Sequence, residues 1–232
     1  MKPLKERIIN LDGRDYHMHT STFSDGIPTF NEIADFAWKI GLTEIAITDH
    51  SQAAIDIQKQ KDNRLIGTSA RYSIKNWENV YNDVNVIIGV EWDLLNENWD
   101  VCFHIQGKQP DFIILSAHKD VYKSPKNTVT DATIKAIEKH HDKIKFIWHP
   151  CNNSDFWEYY DIEALVGTAN KYNIALEINA SKIESWKTNL EKLDYMLKNT
   201  NKMYLNSDAH TLFRLKTSRN FAINWLKENK YL

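Results

Sequence analysis

The sequence predicts one α/β domain of the barrel class, in which parallel strands alternate with helices. Short apolar runs recur along the chain, and most are followed by a stretch with helical periodicity. The length of 232 residues fits one barrel of this class, but is long for an ordinary domain and short for two. No linker or low-complexity stretch divides the chain. We therefore expect a single domain over residues 1–232.

Seven apolar runs have the length of buried parallel strands. They are Asp15–His19, Glu44–Thr48, Val86–Val90, Asp111–Ala117, Ile144–Trp148, Ile174–Ile178 and Met203–Asn206. Segment 51–85 is the least readable part of the chain, because its polar runs show no clean period.

The helices between these runs carry start signals and apolar stripes. Residues Thr29 to Glu32 read as a capping box, and Gly41 closes the helix that they start. Thr188 to Glu191 is predicted to be a second capping box. Apolar residues recur at helical spacing in four helices: Ile33, Ala34, Ala37 and Ile40; Ile162, Leu165, Val166 and Ala169; Leu193, Met196 and Leu197; Ala222, Trp225 and Leu226.

Composition excludes several classes of protein. No apolar run approaches the roughly 18 residues of a membrane span, and the charged N-terminus lacks the apolar core of a signal peptide. Cys102 and Cys151 are too few for a disulfide framework, which fits a reducing compartment. We expect a cytoplasmic protein without a membrane partner. A net charge of −2 without a Lys/Arg block argues against nucleic acid as a partner.

Residues of the types that bind metal ions in proteins follow the predicted strands at a regular spacing. Starting from His19, successive strand-end positions are 27 to 41 residues apart, which is close to one strand–helix unit. In a parallel barrel the C-terminal strand ends converge on one mouth. Six imidazoles are expected to meet three carboxylates there: His17, His19, His50, His118, His149 and His210, with Asp25, Glu91 and Asp208.

This set of side chains suits several metal ions. Neutral imidazole and carboxylate together suit Zn, Mn or Fe, and nine such groups exceed what one ion can use. His17 and His19 share one face of a strand, and Asp208 and His210 repeat that spacing. A single strand-end histidine is more often a hydrogen-bonded structural residue than a ligand. Burying the whole set without cations would be costly, so we favour a multinuclear centre.

Other residues near these positions are assigned ordinary structural roles. We interpret His140, at the end of a predicted helix, as solvated. Cys151 is predicted to be a free thiol near the site. Trp92 and Trp148 are predicted to pack rather than catalyse, because neighbours on a strand face opposite ways.

At the predicted site the sequence resembles the PHP family (polymerase and histidinol phosphatase). Seven motifs match in the family's order between residues 16 and 210, which makes the resemblance highly specific. They are Tyr16-His17-Met18-His19-Thr20 with Ser24-Asp25-Gly26; Ile47-Thr48-Asp49-His50-Ser51; Ile88-Gly89-Val90-Glu91-Trp92-Asp93; Leu115-Ser116-Ala117-His118; Trp148-His149-Pro150; Leu176-Glu177-Ile178-Asn179-Ala180-Ser181; and Asn206-Ser207-Asp208-Ala209-His210. The resemblance implies a distorted seven-stranded (β/α) barrel that holds three divalent metal ions (Zn, Mn or Fe).

The resemblance also implies how the ions share their ligands. The first ion is expected to bind His17, His19, Glu91 and Asp208. The second is expected to bind Glu91 as a bridge, with His118 and His149. The third is expected to bind Asp25, His50 and His210, where Asp25 occupies a position that is His in some relatives.

Members of this family hydrolyse phosphate esters, and the resemblance implies the same reaction here. The expected substrate is a small phosphate monoester, as in a histidinol phosphatase, attacked by a bridging hydroxide. Glu91 and Asp208 are the expected catalytic residues, Asp208 as ligand or proton acceptor. One alternative is a nucleotide phosphodiesterase or exonuclease. A non-catalytic module is disfavoured by the intact ligand set.

Substrate contacts and assembly are less defined by the sequence. Six polar residues in or near the strand-end loops are candidates for binding the substrate: Arg64, Arg71, Lys119, Asn179, Lys182 and Arg214. Surface solvation is the commoner fate of any one basic residue. The sequence leaves the oligomeric state open.

Overall fold

The computed structural model describes residues 2–61, 77–153 and 159–232, without the side chains of residues 59–61. The strands of this part of the chain are β1 Arg14–Asp15, β2 Glu44–His50, β3 Asn85–Leu94, β4 Val101–Cys102, β5 Phe112–Ser116, β6 Ile144–Ile147, β7 Ala175–Asn179 and β8 Met203–Asn206. Its α-helices are α1 Leu4–Arg7, α2 Phe30–Lys39, α3 Gln52–Lys61, α4 Val129–His140, α5 Ile162–Tyr172, α6 Ala180–Glu184, α7 Leu190–Asn199 and α8 Leu212–Glu228. A 3₁₀ turn at Lys126–Thr128 leads into α4.

Seven parallel strands form a nearly closed barrel, in the order β1-β2-β3-β5-β6-β7-β8. The two ends of this sheet meet beside β1 and β8. The backbone N–H groups of Ile9 and His19 donate to the carbonyls of Met203 and Ala209, each at 2.9 Å. The predicted seven-stranded (β/α) barrel is confirmed. Its geometry gathers the C-terminal strand ends at one mouth.

The strand bounds differ most from the prediction at β1 and β3, and β4 was not predicted. Strand β1 ends at Asp15, because the residues after it form isolated contacts with two different segments. The carbonyl of Met18 accepts from the Thr48 N–H, and Met18 forms an isolated β-bridge with Ala209. Strand β3 continues through Glu91 to Leu94, where the unpredicted β4 pairs with it antiparallel. The polar residues within β3 interrupt its apolar pattern, so the sequence concealed its full length.

The helix start signals are confirmed at one position and wrong at the other. The Thr29 hydroxyl accepts from the Glu32 N–H at 3.3 Å, and the Glu32 carboxylate accepts from the Thr29 N–H at 2.8 Å. At the second position Asn189, not Thr188, caps the helix, with its Oδ1 accepting from the Lys192 N–H at 3.0 Å. The physical reason is that Thr188 forms a β-bridge with Asn152, which keeps its backbone extended.

The helices pack their predicted apolar stripes into one core. Of the predicted stripe residues, Ile40 and Trp225 are only partly buried, and the others are buried. Helix α3 lies in the segment without a readable period. Among the described residues, no helix is both long enough and apolar enough to cross a membrane.

Candidate metal centre

The mouth of the barrel gathers the predicted imidazoles and carboxylates. His50 ends β2 and Glu91 lies within β3, the other donors except Asp25 follow β1, β5, β6 and β8, and Asp25 lies in the loop before α2. His17, His19 and Glu91 have no solvent-exposed surface, and Asp208 is 2% exposed. Three groups of possible ligand atoms form within the described residues.

The first donor group is His17, His19 and Asp208. The two Nε2 atoms lie 3.1 Å apart, and each lies 3.5 Å from Oδ1 of Asp208. Oε2 of Glu91 is 4.0 Å from His17 Nε2 and 3.7 Å from His19 Nε2. Two ligands held at about 2.1 Å by one ion lie about 3.0–3.4 Å apart. The three members of this group therefore have the spacing of a common ion's ligands.

The second donor group is His50, Glu91 and His118. Nδ1 of His50 lies 2.8 Å from Oε2 of Glu91, and Nε2 of His118 lies 3.6 Å from Oε1. The shorter contact lacks hydrogen-bond geometry, since both of its atoms are without a hydrogen-bond partner among the described atoms. This is the arrangement expected of two atoms that point at one cation.

The third donor group is His19, Asp25, His50 and His210. Oδ1 of Asp25 lies 3.2 Å from Nε2 of both His50 and His210. The ring of His19 lies between them, with its centroid 4.4 Å from that of His50 and 4.3 Å from that of His210. His19 and His50 therefore each belong to two donor groups.

This grouping differs from the ligand sharing that the family resemblance implied, which stays a prediction. His50, rather than His149, groups with Glu91 and His118, and His149 lies outside the three donor groups of the described residues. His149 lies two residues beyond the end of β6, and its backbone N–H donates to Oε2 of Glu177 at 3.0 Å. It is 2% exposed and interacts electrostatically with Asp208 and Glu91. A ligand role for His149 stays a prediction.

The donor set fits divalent cations because it is incomplete without them. Both carboxylate oxygens of Glu91 and Oδ1 of Asp208 are buried and have no hydrogen-bond partner within the described parts of the chain. A buried carboxylate oxygen without a partner is costly. Imidazole nitrogens and carboxylate oxygens are ligands that Zn, Mn and Fe accept. Cations at this position would satisfy all three oxygens.

The electrostatics of the site favour bound positive charge. Burial alone would raise the pKa of Glu91, but His118 and His50 outweigh it and lower the pKa. Burial, together with His210 and His50, lowers the pKa of His19 to about 3, so its ring is neutral and can donate to a metal. Burial disfavours the charged form of His17, yet Glu177 and Asp208 raise its pKa to about 9. The same negative charge would attract a cation.

The loop that carries Asp25 is fixed by close packing at Gly26. A Cβ atom on Gly26 would lie 2.2 Å from the carbonyl oxygen of His19, so only glycine fits. The N–H of Ile27 donates to the carbonyl of His210 at 2.8 Å, which ties the loop to the end of β8. These contacts place Asp25 against its partners in the third donor group.

Asp208 adopts an uncommon backbone conformation at the end of β8. Its φ angle of 51° lies in the left-handed region, which Asp tolerates better than most residues. Residues in such conformations cluster at functional sites, where the surrounding structure holds them. Oδ2 of Asp208 accepts from Nδ2 of Asn179 at 3.1 Å, which leaves Oδ1 directed at His17 and His19.

Three buried carboxylates, absent from the predicted site, hold the donor histidines in place. Oε1 of Glu177 lies 2.8 Å from Nδ1 of His17. Asp93 hydrogen-bonds Nδ1 of His118, and Asp49 accepts from Ser24, whose Oγ lies 3.2 Å from Nδ1 of His19. Such carboxylates fix the orientation of metal-ligating histidines. Their sequence signal was an acidic residue inside an otherwise apolar strand, since acidic residues are almost never fully buried unless paired.

The six predicted substrate-contact residues have different fates. Lys182 lies at the centre, with Nζ 3.0 Å from Oδ2 of Asp208. Asn179 donates to Glu177 and Asp208, so it supports the ligands. Arg214 pairs with Glu184 on α6, and Lys119 is exposed. Arg64 and Arg71 lie outside the described residues.

Of the two tryptophans predicted to pack, Trp92 lies away from the donor groups and Trp148 lies beside one of the donor histidines. Trp92 packs against Phe103 and His140, so it faces away from Glu91 as predicted, and His140 is half-buried rather than solvated. The ring of Trp148 instead lies 4.5 Å from that of His118. Strand β6 ends at Ile147, so the alternation that would have turned Trp148 away does not reach it.

Cys151 lies beside the centre in a narrow cleft. His149, Asn179 and Lys182 line the same cleft. The thiol is buried against Sδ of Met196 at 3.8 Å, and burial raises its pKa to about 12. Cys151 is therefore a protonated free thiol, not a nucleophile, at neutral pH.

The PHP domain family matches residues 15–210, which span all three donor groups. The chain belongs to the PHP domain family. A probable phosphatase of Shewanella baltica is 30% identical over 172 residues, covering 73% of this chain. The chain spans 63% of the length of that relative.

Two further relatives of this PHP chain have different names. The DNA polymerase/3'-5' exonuclease PolX of Bacillus subtilis is 28% identical over 208 residues, which cover 85% of this chain and 34% of PolX. The solved structure of histidinol phosphate phosphatase from Lactococcus lactis, complexed with Zn, L-histidinol and phosphate, superposes with a TM-score of 0.57. It is 17% identical, with 93% of each chain covered, and supports the barrel fold.

Proposed function

We propose that this PHP domain hydrolyses a small phosphate monoester at a trinuclear metal centre, as a single domain. The observation that carries the proposal is the convergence of three overlapping donor groups, two of which contain carboxylate oxygens that lack hydrogen-bond partners among the described residues. The proposed ligands are the nine predicted donors, including His149. The proposed ions are Zn, Mn or Fe. Histidinol phosphate is the first substrate to test.

Glu91 and Asp208 have different proposed roles in the centre. Glu91 touches the first and second donor groups, so it is the proposed bridging ligand. Asp208 directs one oxygen into the first donor group and is the second proposed catalytic carboxylate. Ions bound there would lower the pKa of a water molecule and hold phosphoryl oxygens. The buried setting strengthens these electrostatic interactions.

Relatives support both the reaction class and the substrate class. The Shewanella baltica relative is named a probable phosphatase, and the Lactococcus lactis structure holds Zn, L-histidinol and phosphate. A net charge of −2 gives the chain little field with which to hold a polyanion, whereas one phosphoryl group needs few contacts.

A nucleotide phosphodiesterase or exonuclease is the second candidate. The observation in its favour is the match to PolX, which extends over 85% of this chain. A non-catalytic module is the third and is disfavoured because no predicted donor position is lost.

A substrate panel at matched metal content separates these candidates. We expect kcat/KM for histidinol phosphate or a nucleoside monophosphate to exceed that for a single-stranded oligonucleotide, with weak dependence on salt. A preference for the oligonucleotide of more than about tenfold, or roughly 1.4 kcal/mol, replaces the monoesterase with a nuclease. Absence of turnover on every member leaves the non-catalytic module.

A further inference from the structure

Lys182 is a half-buried cation that the ligand set does not require. It lies on the short helix α6, and Asn179 Oδ1 accepts from its backbone N–H at 3.1 Å. Its side chain is 23% exposed, and its Nζ lies 3.0 Å from Oδ2 of Asp208. Burying an ammonium group is costly unless an anion compensates it.

Holding Asp208 in place does not explain Lys182. Oδ2 of Asp208 already accepts from Nδ2 of Asn179 at 3.1 Å, and Asn179 is itself fixed by Oε2 of Glu177 at 3.1 Å. The carboxylate is thus oriented by a neutral donor. Lys182 adds charge beside the centre rather than a missing hydrogen bond.

The ammonium group has donor capacity left for a ligand. Lysine carries three N–H donors, and Asp208 is its one ion-pair partner within 4.0 Å in the part of the chain that the structure describes. Lys182 lines the same cleft as His149 and Asn179, beside the donor groups. If Asp208 also binds a metal ion, its negative charge compensates the ammonium group of Lys182 less fully. A second anion near Nζ would then be favourable.

We propose that Lys182 is a substrate-binding residue that donates to a non-bridging phosphoryl oxygen of the phosphate monoester. Lysine binds phosphate as a point charge, and its flexible stem allows Nζ to move from Asp208 to a nearby oxyanion. The inference rests on the proposed function, because it gives the centre its second source of positive charge. It also favours monoesters, whose phosphoryl group carries more negative charge than that of a diester.

Phosphate binding tests this role without turnover. The metal-reconstituted protein is compared with Lys182→Met, Lys182→Arg and the control Lys187→Met, which changes an exposed lysine five residues away. Binding of inorganic phosphate is measured by equilibrium dialysis, and bound metal by elemental analysis. We expect Lys182→Met to weaken phosphate binding at least tenfold at unchanged metal content. Lys182→Arg and Lys187→Met should stay within about threefold of the unmodified protein.

Several outcomes overturn the assignment. The assignment is overturned if Lys182→Met binds phosphate within twofold of the unmodified protein. It is also overturned if Lys182→Met loses bound metal in parallel with phosphate, because Lys182 would then support Asp208 rather than bind the substrate. An unmodified protein that binds no phosphate overturns it too. If Lys182→Met does not fold, Lys182→Gln and Lys182→Arg are compared, and equal phosphate affinity overturns it. Failure of the proposed function is separate: phosphate binds, but no phosphoester is hydrolysed.

Discussion

Glu91 is the residue on which we expect the proposed metal centre to depend most. Its two oxygens face His50 and His118, and Oε2 also lies 3.7 Å from Nε2 of His19. In the proposed centre a terminal imidazole would affect one ion, whereas this carboxylate would supply charge and spacing to two.

We expect Glu91→Gln to reduce kcat at least about a hundredfold, the scale on which a single electrostatic contact to the transition state acts. The loss should exceed that of His118→Ala or His210→Ala, and circular dichroism should show a preserved fold. Turnover at limiting metal is the measurement. Unmodified turnover in Glu91→Gln would mean that the bridge is wrongly assigned.

Glu177 is expected to act through His17 rather than on the substrate. It contacts Nδ1 of His17 and accepts from the Nδ2 groups of Asn179 and Asn206 at 3.1 and 3.0 Å. Replacing such a supporting group typically costs about 10–100-fold in metal affinity or activity. Glu177→Gln should therefore weaken metal binding by that range, and excess metal should restore part of the activity. Unchanged metal affinity would contradict this role.

At the scale of single residues, the sequence predicted which side chains converge better than it predicted the partners of each. Strand-end position and side-chain chemistry predicted the convergence of residues such as His19 and Asp208, because a parallel barrel fixes which strand ends meet. The sharing of His50 between two donor groups was not predictable, since it depends on how its ring is rotated. Glu177 was missed as a support because its role comes from residues 160 positions away in the chain.

Among the elements, the loop between β1 and α2 depends on its close approach to His19 at Gly26. We expect Gly26→Ala to destabilise the protein by about 1–3 kcal/mol, because its Cβ would overlap the backbone of His19. Gly167→Ala is the matched control. Position 167 lies inside helix α5, where apart from the neighbouring helix backbone no described atom lies within 4 Å of the new Cβ, so about 0.5–1 kcal/mol should be gained.

Urea denaturation gives both free energies of unfolding, and elemental analysis of Gly26→Ala reports on the third donor group. Equal effects of the two substitutions would contradict the packing of this loop.

Helix α7 tests the corrected cap. We expect Asn189→Ala to lower the free energy of unfolding by about 1 kcal/mol, because the Lys192 N–H loses its acceptor. Thr188→Ala should have a smaller effect, since its side chain does not cap the helix. Denaturant melts of both variants measure the difference. A larger loss for Thr188→Ala would restore the predicted capping box.

Elements were predictable where local signals agreed with the tertiary structure. The capping box at Thr29 needs only its own four residues, and it formed. The signal at Thr188 was overridden by a bridge to Asn152, which is distant in sequence. Strand β4 has two residues and pairs with the end of β3, so its sequence carries almost no periodic signal.

At the scale of the whole molecule, the barrel converts a repeating strand–helix pattern into one reactive surface. Successive strands deliver their donors from positions 17 to 210, so the centre forms only when the sheet closes. The seam beside Met18 and Ala209 brings the first and last strands together, and with them His19 and His210. Metal binding and folding are therefore expected to be coupled.

The proposed metal-dependent hydrolysis is tested most directly by titrating the metal-free protein with Zn or Mn. At each step of the titration, phosphate release from histidinol phosphate and other small monoesters is measured. We predict that turnover rises with bound metal and saturates at about three ions per chain, because nine donors exceed the needs of one ion. Saturation at no more than one bound ion would contradict the trinuclear centre. Full metal occupancy without phosphate release from any monoester would contradict the phosphatase itself.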